Sequence, residues 1–320
     1  MLFLGKEDIS KLVVFEEIIA AVERAMEIYN KKQFLQPDRI TVNVSDSETY
    51  LYMPCFTDKI KGTKVITLYG DNYKLNLPTI QGVMLLNDPV TGMIDCILDG
   101  ASITGYRTGA VGATGIKYTS KESIKNLGIV GTGVQAYYQA LYAASIRDLE
   151  NIYVFDVLTD KCREFAKTIQ ERLPKVKVHP AESTEELVKK SEVIVTVTPS
   201  SSPVIPDSAE LLDGKHFVGI GSYKPSMQEY PRSIFQLLDK VYIDVDFALE
   251  ESGDLIIPCE NGWFRKENIR TLYSAVQDNS IDRNKTTFFK SVGMALFDIL
   301  VADKLYRKAL ERNMGQKINI

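Results

Sequence analysis

The amino-acid sequence predicts an α/β protein in which a doubly wound parallel sheet is joined to a second, α+β domain. Strand and helix patterns alternate from residue 124 to about residue 245, which is typical of a parallel sheet with helices on both faces. A glycine-rich turn, Gly131-Thr132-Gly133-Val134-Gln135-Ala136, directly follows the first strand of that region. Between about residues 39 and 98, strand patterns follow one another without helices, which predicts a mostly antiparallel sheet.

The alternating region contains the strands of the predicted parallel sheet, and we assign it to residues 119–289. The strands are predicted at Asn126–Val130, Asn151–Phe155, Val176–His179, Val193–Thr198, His216–Ile220 and Val241–Asp244. Because the glycine turn opens the first strand-helix unit of this series, the region is predicted to be a Rossmann-type nucleotide-binding domain.

The glycine turn has the spacing of a dinucleotide-binding fingerprint. Gly131 allows the tight turn, Gly133 lets the backbone approach a pyrophosphate, and the phosphate would bind free amides at the helix N-terminus. Asp156 follows the next strand, where a carboxylate accepts hydrogen bonds from ribose hydroxyls and repels a 2′-phosphate. The sequence therefore predicts NAD(H) in preference to NADP(H), although Lys161 is a nearby cation. A glycine turn alone also occurs where a chain simply reverses, so the prediction depends on strand, helix and Asp156 together.

The antiparallel region follows an amphipathic helix at residues 14–32 and precedes a helix rich in glycine and alanine that ends at Tyr118. Residues 88–92 are predicted to form a hairpin turn, and Ser102 is predicted to cap the second helix. A last helix, Thr287–Arg312, is expected to return to this domain, which we assign to residues 1–118 and 290–320. Its strands are predicted at Arg39–Val44, Thr49–Met53, Gly62–Tyr69, Gln81–Asn87 and Met93–Leu98.

Composition and charge argue against several classes of function. The formal charge of −4 and pI near 5.5 disfavour nucleic acid or an anionic membrane as the main partner. The N-terminus lacks a signal-peptide pattern and no uncharged stretch approaches membrane-spanning length, so we expect a cytoplasmic protein. The two histidines lie beside apolar strand patterns and the four cysteines are scattered, which disfavours a Ser-His-Asp hydrolase and a metal site.

Three cations in the first domain are candidates for a substrate site. Arg39, Lys64 and Arg107 lie on elements that a sheet can bring together, where they would bind a carboxylate. Arg39 and Lys64 could equally be solvated charges at strand edges. Arg107 stands alone among the glycines and alanines of its helix, so it requires a buried anion, of which a cofactor phosphate is the most obvious.

Several sequence blocks stand out along nearly the whole chain. In order they are Asn76–Thr79, Leu85–Gly92, Leu98–Gly100, Ile103–Ala110, Gly131–Ala136 and Lys290–Gly293. Together they resemble the ornithine cyclodeaminase and mu-crystallin family, which includes cyclodeaminases, alanine dehydrogenase and cyclic ketimine reductases. These proteins act on small amino-acid-like substrates with a nicotinamide cofactor. The resemblance also implies a homodimer joined through the first-domain sheets, so that domain would bind substrate and mediate dimerisation.

The resemblance implies roles for individual residues. Arg39, Lys64 and Arg107 match residues that hold the substrate carboxylate, and Lys64 is the expected catalytic proton donor. Ser291 and Val292 match a loop that touches the nicotinamide and the substrate. Together with the glycine turn, the expected cofactor contacts are Thr79, Arg107, Thr108, Gly131, Gly133, Val134, Gln135, Asp156, Thr198 and Ser291.

One departure from the family pattern concerns the reaction. Cyclodeaminases carry an aspartate in a Gly-Gly-Asp-x-Pro context, whereas this chain reads Gly221-Ser222-Tyr223-Lys224-Pro225. A phenol, with a reference pKa of about 10, is mostly neutral at pH 7 and does not pair with a substrate ammonium. Tyr223 is therefore expected to contact an uncharged or cyclic imine, unless it merely covers the site and Glu229 or Asp71 supplies the charge.

The sequence thus predicts an NAD(H)-dependent reductase of small 2-imino acids, such as pyrroline-2-carboxylate, or an amino-acid dehydrogenase of the alanine dehydrogenase type. The first alternative is an ornithine cyclodeaminase, an ammonia-releasing lyase with bound NAD. The second is a non-catalytic protein of the mu-crystallin type that binds NAD(P)H or a small ligand. The expected partners are a small amino or imino acid and a second copy of the chain.

Overall fold

In a computed structural model that describes residues 1–75 and 77–319, the chain forms two compact units. The first unit contains Met1–Arg107 and the chain from Met294 onward, and the second contains Thr108–Gly293. The first boundary falls inside a helix, whereas the boundary predicted from the sequence lies near the end of that helix, after residue 118. The assignment of substrate and cofactor binding to separate domains stays a prediction.

Within the described residues, the eleven predicted strands are present with small shifts of their ends, and four further strands were not predicted. In chain order they are β1 Leu2–Leu4, β2 Ile40–Ser45, β3 Glu48–Phe56, β4 Lys61–Tyr69, β5 Ile80–Asn87, β6 Ile94–Asp99, β7 Asn126–Val130, β8 Asn151–Phe155, β9 Lys177–Pro180, β10 Val193–Thr196, β11 His216–Gly219, β12 Val241–Ile243, β13 Ile269–Thr271, β14 Thr287–Lys290 and β15 Gln316–Lys317.

The helices separate most strands of the second unit and flank the sheet of the first. They are α1 Lys6–Leu12, α2 Phe15–Asn30, α3 Gly100–Thr119, α4 Val134–Ile146, α5 Thr159–Arg172, α6 Thr184–Lys190, α7 Ala209–Leu212, α8 Arg232–Leu237, α9 Ala248–Glu251, α10 Gly253–Glu260, α11 Leu272–Gln277 and α12 Ala295–Glu311. Short 3₁₀ turns occupy Gly70–Leu75 and Lys266–Asn268. Among the described helices, none has the length and apolar character that crossing a membrane requires.

The first unit is built on a seven-stranded sheet in the order β15-β1-β6-β5-β4-β3-β2. Strands β2 to β6 pair antiparallel, as predicted, and a turn at residues 88–92 joins β5 to β6. Alternate side chains of β3 to β6 point to one face and are buried there, where α12 packs against β3, β4 and β5. Because side chains alternate between faces, this arrangement places every second residue of β4, including Lys64, in the core.

The second unit contains an eight-stranded, fully parallel sheet in the order β13-β12-β14-β11-β10-β7-β8-β9. This arrangement confirms the predicted doubly wound sheet. From β7 the chain proceeds to β8 and β9 on one side and then to β10 and β11 on the other. The strand order therefore reverses beside β7, and in open α/β sheets ligands bind outside the carboxyl ends of strands at such a reversal.

Two sequence-based assignments were wrong in detail. The segment Thr287–Lys290 is not the start of the last helix but a fully buried strand between β11 and β12, and the helix begins at Ala295. A short apolar run that is buried on both faces has no periodicity that separates strand from helix. Ser102 does not cap α3, because the helix already begins at Gly100 and the Asp99 carboxylate accepts the Ser102 N–H at 2.7 Å.

Candidate functional site

Lys64 lies at the centre of a buried charge cluster in the first unit. It occupies the middle of β4, in register with Met53 on β3 and Met84 on β5, and only 1% of its surface is exposed. Its Nζ lies 2.7 Å from Oδ2 of Asp298, which α12 carries onto the same face of the sheet. The Nε of Arg107 donates a hydrogen bond to the other Asp298 oxygen, Oδ1, at 3.0 Å. One buried carboxylate therefore joins two of the predicted cations.

Burial lowers the pKa of Lys64 to about 8, against the opposing attraction of Asp298. The positive charges of Arg107 and Arg39 lower this pKa further, so Arg39 lies close enough to act on Lys64. The structure thus brings Lys64 and Arg107 together on a single aspartate, with Arg39 near enough to influence Lys64. Lys64 is not a solvated charge at a strand edge, and Arg39 is half-buried just before β2. An amine with a pKa near neutral can hold or release a proton under physiological conditions.

Asp298 was not predicted as a site residue from the sequence. It lies in a continuous apolar stretch of α12, between Phe297 and Ile299, and is fully buried. A single acid in such a stretch is the signal that could have found it, because buried carboxylates are almost always paired. The buried anion that Arg107 required is therefore a carboxylate of the chain itself, and a contact of Arg107 with a cofactor phosphate stays a prediction.

The glycine turn of the second unit has the backbone geometry of the predicted fingerprint. Gly131 has a φ of +95°, and its N–H donates to the carbonyl of Phe155 at 2.8 Å. A Cβ at this position would lie 3.0 Å from Thr198 Cγ2, so the turn is both left-handed and tightly packed. Gly133 precedes the first turn of α4, where no described side chain caps the helix and a Cβ would meet open space. The first amides of α4 are therefore open to an anion at the surface beside Val134, which is 70% exposed.

Asp156 follows β8 and lies beside this turn. Its Oδ2 accepts hydrogen bonds from the N–H and the hydroxyl of Thr132, at 2.9 and 2.7 Å, and its Oδ1 accepts the Leu158 N–H at 3.0 Å. Partial burial acts to raise the pKa of Asp156, but these hydrogen bonds outweigh it and hold the pKa below its usual value. The group is therefore a carboxylate at neutral pH. A carboxylate can accept about four hydrogen bonds. Asp156 already accepts three, so one position remains for a ribose hydroxyl.

Two predicted cofactor contacts have buried polar atoms that no described hydrogen bond satisfies. These atoms are Oγ1 of Thr108 and Oε1 of Gln135. The Thr108 carbonyl is held by Nε2 of Gln139 at 2.9 Å, so α3 and α4 are joined next to these atoms. Because buried polar groups are rarely left without partners, both atoms are suited to meet a bound polar ligand. Thr108 belongs to the second unit, whereas the first domain predicted from the sequence included it.

Thr79 belongs to the first unit, where it is exposed immediately before β5. Its carbonyl accepts the Tyr69 N–H at 2.9 Å, which ties it to the end of β4. Asn76, which begins the same sequence block, lies outside the described residues. The cofactor contact of Thr79 stays a prediction.

Thr198 and the segment that carries Tyr223 are held together by a buried acid. The N–H and hydroxyl of Thr198 donate to Oε1 of Glu229, at 2.7 and 2.8 Å. Tyr223 is 37% exposed, and partial burial raises the pKa of its phenol, so the ring remains neutral. Glu229 is fully buried, and both of its oxygens accept hydrogen bonds from the chain itself. Asp71, the other acid considered, forms an exposed ion pair with Lys74 at 2.7 Å.

Ser291 and Val292 lie in a loop that a second buried acid organises. The Ser291 hydroxyl donates to Oδ2 of Asp244 at 2.6 Å, and the same oxygen accepts the Gly293 N–H at 2.8 Å. Burial raises the pKa of Asp244, while these hydrogen bonds and those from the Val292 and Val245 amides oppose the rise. Because the Ser291 proton is directed at Asp244, its oxygen is left to accept a hydrogen bond from a ligand.

Both histidines are structural. The Nδ1 of His216 lies 2.9 Å from the Thr287 hydroxyl, and burial lowers the pKa of His216 to about 4. His179 bonds to Asn151 at 3.1 Å and stacks on Tyr153. Within the described chain, no cluster of acidic, histidine and cysteine side chains has the composition of a metal site.

The chain belongs to the ornithine cyclodeaminase/mu-crystallin family, whose sequence profile matches residues 1–313. This finding confirms the resemblance seen in the sequence blocks. A Delta(1)-pyrroline-2-carboxylate reductase of Bacillus cereus is 33% identical to this chain over 326 residues, and the match covers 99% of both proteins.

Solved structures similar to the chain include two enzymes with a bound cofactor. The Thermococcus litoralis Delta(1)-pyrroline-2-carboxylate reductase, in complex with NADH and L-proline, superposes with a TM-score of 0.92 at 30% identity and covers 99% of this chain and 100% of that chain. An archaeal alanine dehydrogenase dimer with bound NAD gives a TM-score of 0.89 at 27% identity, covering 100% and 99% of the two chains.

Proposed function

We propose that the protein is an NAD(H)-dependent reductase that converts small 2-imino acids, represented by pyrroline-2-carboxylate, into the corresponding amino acids. The observation that carries this proposal is the buried cluster of Lys64, Arg107 and Asp298, in a chain similar to pyrroline-2-carboxylate reductases over its full length. With Arg39 nearby, the cluster has more cations than anions, which suits a substrate carboxylate.

The reaction needs a hydride, a proton and a fixed substrate. Bound NADH supplies the hydride to the C=N carbon, and the imine nitrogen takes up one proton, so that an amino acid and NAD⁺ are formed. Lys64 donates this proton, because burial brings its pKa to about 8 and most molecules carry the proton at pH 7. Arg39 and Arg107 hold the substrate carboxylate, and Asp298 keeps Lys64 and Arg107 oriented.

The residues that suit NAD(H) lie around the carboxyl ends of β7, β8 and β10. The amides of α4 after Gly133 bind the pyrophosphate, and Asp156 accepts a hydroxyl of the adenosine ribose. Thr108, Val134, Gln135 and Thr198 are further cofactor contacts, together with Thr79, Arg107 and the Ser291 hydroxyl. Val292 and Tyr223 complete the substrate pocket in this proposal, with the neutral phenol beside an uncharged part of the substrate.

Oxidative deamination of an amino acid such as alanine is the second candidate, favoured by the similarity to an archaeal alanine dehydrogenase. The same cluster serves both reactions, because each has a 2-imino acid as its central species. The two differ in whether the imine is cyclic and preformed or arises from a keto acid and ammonia.

We also propose that the protein is a homodimer. The face of the first-unit sheet opposite α12 carries apolar side chains in one cross-strand row: Ile40, Tyr52, Val65 and Val83 are paired in register. Ile40 and Tyr52 are 58% and 37% exposed, and Val42 adds a further exposed apolar side chain. An apolar face of this kind suits a second copy of the chain, in agreement with the dimer described for the alanine dehydrogenase.

The experiment that tests the function is an NADH-oxidation screen of the purified protein. The substrates are pyrroline-2-carboxylate, piperideine-2-carboxylate and pyruvate with ammonia, and ornithine is tested in parallel for ammonia release. We expect the cyclic imines to be reduced at the highest kcat/KM. Inactivity with all imines, together with ammonia release from ornithine, would overturn the proposal in favour of a cyclodeaminase. NADH binding without any turnover would identify a binding protein.

A further inference from the structure

The Glu229 carboxylate connects two loops at the carboxyl edge of the parallel sheet. Its Oε1 accepts the N–H and hydroxyl of Thr198, in the loop after β10. Its Oε2 accepts the N–H groups of Gly221 and Ser222, in the loop after β11, at 2.9 and 3.1 Å. Each oxygen thus serves one loop, and all the hydrogen bonds point from the loops to the acid.

The two loops also approach each other closely. A Cβ at Gly221 would lie 2.2 Å from the Thr198 carbonyl oxygen and 2.6 Å from Oε1 of Glu229, so only glycine fits there. The Gln228 N–H donates to the Ser200 carbonyl at 2.9 Å and adds a direct bond between the segments. The loops therefore form one connected layer, with the acid between them.

A second buried acid, Asp254, fixes the backbone at Glu229. Oδ1 of Asp254 accepts the backbone N–H groups of Glu229 and Tyr230, at 2.7 and 3.1 Å. The other Asp254 oxygen faces Lys290 Nζ at 3.4 Å, and all of these charged side chains are fully buried. Burial of this many charged groups is costly, and the hydrogen bonds from the backbone offset part of that cost. Loss of the Glu229 carboxylate would therefore leave buried donors of both loops without their acceptor.

The loops that Glu229 joins carry residues of different parts of the proposed site. Thr198 is a proposed cofactor contact, and Tyr223, next to Ser222, is a proposed substrate contact. We propose that Glu229 is a positioning residue that holds these two loops in one geometry, so that cofactor and imino acid bind to a prearranged site. This inference rests on the proposed reductase function, since the substrate half of the effect requires an imine that the enzyme reduces.

Glu229→Gln is the informative variant because glutamine has the shape of glutamate but only one acceptor oxygen. A glutamine presents an NH₂ group in place of one carboxylate oxygen, and that group would face N–H donors from one of the loops. Glu229→Asp keeps the carboxylate but places it one methylene further from the loops. The same quantities are measured on this variant if the glutamine variant does not fold.

Glu192→Gln is the matched control. Oε2 of Glu192 also accepts backbone N–H groups, from Lys125 and Asn126 at 2.7 and 3.0 Å, but at the amino ends of the strands, away from both loops. The measurements are the dissociation constant of NADH from fluorescence, KM and kcat for pyrroline-2-carboxylate, and the melting temperature.

We expect Glu229→Gln to raise the NADH dissociation constant and the imine KM by roughly tenfold or more, because small misplacements of site residues have large effects. Glu192→Gln should lower the melting temperature and leave both constants unchanged. Equal constants in wild type and the Glu229 variants, or equal increases in the Glu192 control, would overturn the inference. If the wild type bound NADH but reduced no imine, the proposed function would fail. The NADH dissociation constants would still show whether Glu229 positions the loop that carries Thr198.

Discussion

The Nζ of Lys64 and Oδ2 of Asp298 lie 2.7 Å apart, and both side chains are almost completely shielded from water. Because the burial of an ammonium disfavours its charged form, Lys64 would lose its proton easily without a nearby anion. Asp298 opposes this effect, and the balance leaves the Lys64 pKa at about 8. Asp298 thus raises the pH at which Lys64, the proposed proton donor, loses its proton.

Asp298→Asn should move the pH dependence of imine reduction to lower pH. Loss of the negative charge removes the effect that raises the Lys64 pKa, so that pKa falls below about 8. Reduction requires protonated Lys64 and declines as pH rises through this pKa, so the alkaline limb of kcat/KM should shift to lower pH. The measurement is kcat/KM between about pH 6 and pH 10.

The same substitution should lower the free energy of unfolding by about 3 to 5 kcal/mol, as expected when one partner of a buried ion pair is removed. Unfolding in urea gives this quantity independently of the assay. An unchanged alkaline limb in a folded Asp298→Asn protein would show that Asp298 does not control the Lys64 proton.

Lys64→Met should abolish imine reduction while NADH binding stays nearly intact. Methionine has a similar length and lacks the charge and the proton, so the variant removes the donor without opening a large cavity. Lys61→Met is the control on the same strand, because the Lys61 ammonium donates to the Pro89 carbonyl at 2.8 Å. Turnover and NADH fluorescence are measured for both proteins. Normal turnover in Lys64→Met would remove Lys64 from the mechanism.

The two sheets and the glycine turn could be predicted because their signals are local. Alternating hydrophobicity identifies β2 to β6, and Gly131, Gly133 and Asp156 occur at a fixed spacing along the chain. The Arg107–Asp298 contact joins residues 191 positions apart, so no local pattern predicts it. The cations could be recognised as candidates, but only the fold shows which anion they share.

The supporting roles of the buried acids of the second unit were not predicted, for a similar reason. Asp244 lies at the end of a predicted strand, and Glu229 lies in a connecting segment without a motif. Their importance comes from hydrogen bonds to the backbone of distant loops, such as Gly293 and Gly221, and a backbone N–H has no sequence signature. Buried carboxylates that accept backbone donors therefore become visible only in three dimensions.

Asp156→Asn should weaken the discrimination against NADPH. The asparagine keeps the size of the side chain but removes the charge that repels a 2′-phosphate. We expect the KM for NADPH to fall by about tenfold, equivalent to about 1.4 kcal/mol, with a smaller change for NADH. Asp148→Asn is the control, because Asp148 is an exposed acid before β8, at the opposite edge of the sheet, paired with Lys125. An unchanged ratio of NADH to NADPH efficiency would argue against Asp156 as the selective residue.

Val42→Asp should dissociate the proposed homodimer. Val42 is 44% exposed on the apolar face of the first-unit sheet, and a buried, unpaired carboxylate in the interface is strongly unfavourable. Light scattering after size-exclusion chromatography should give the mass of one chain for the variant and of two chains for the wild type. Val90→Asp is the control, because Val90 is 90% exposed at the hairpin turn between β5 and β6. A monomeric wild type would contradict the proposal.

Tyr223→Asp should increase the affinity of the site for diamino acids at the cost of imine reduction. The change introduces a carboxylate at the position where cyclodeaminases carry one, and a carboxylate can pair with the distal ammonium of ornithine. We expect the inhibition constant of ornithine against pyrroline-2-carboxylate reduction to fall by about tenfold, or about 1.4 kcal/mol. Tyr223→Phe keeps the ring without the hydroxyl and should retain the wild-type preference. If ornithine inhibited all three proteins equally, the identity of residue 223 would not determine the choice between an imine and a diamino acid.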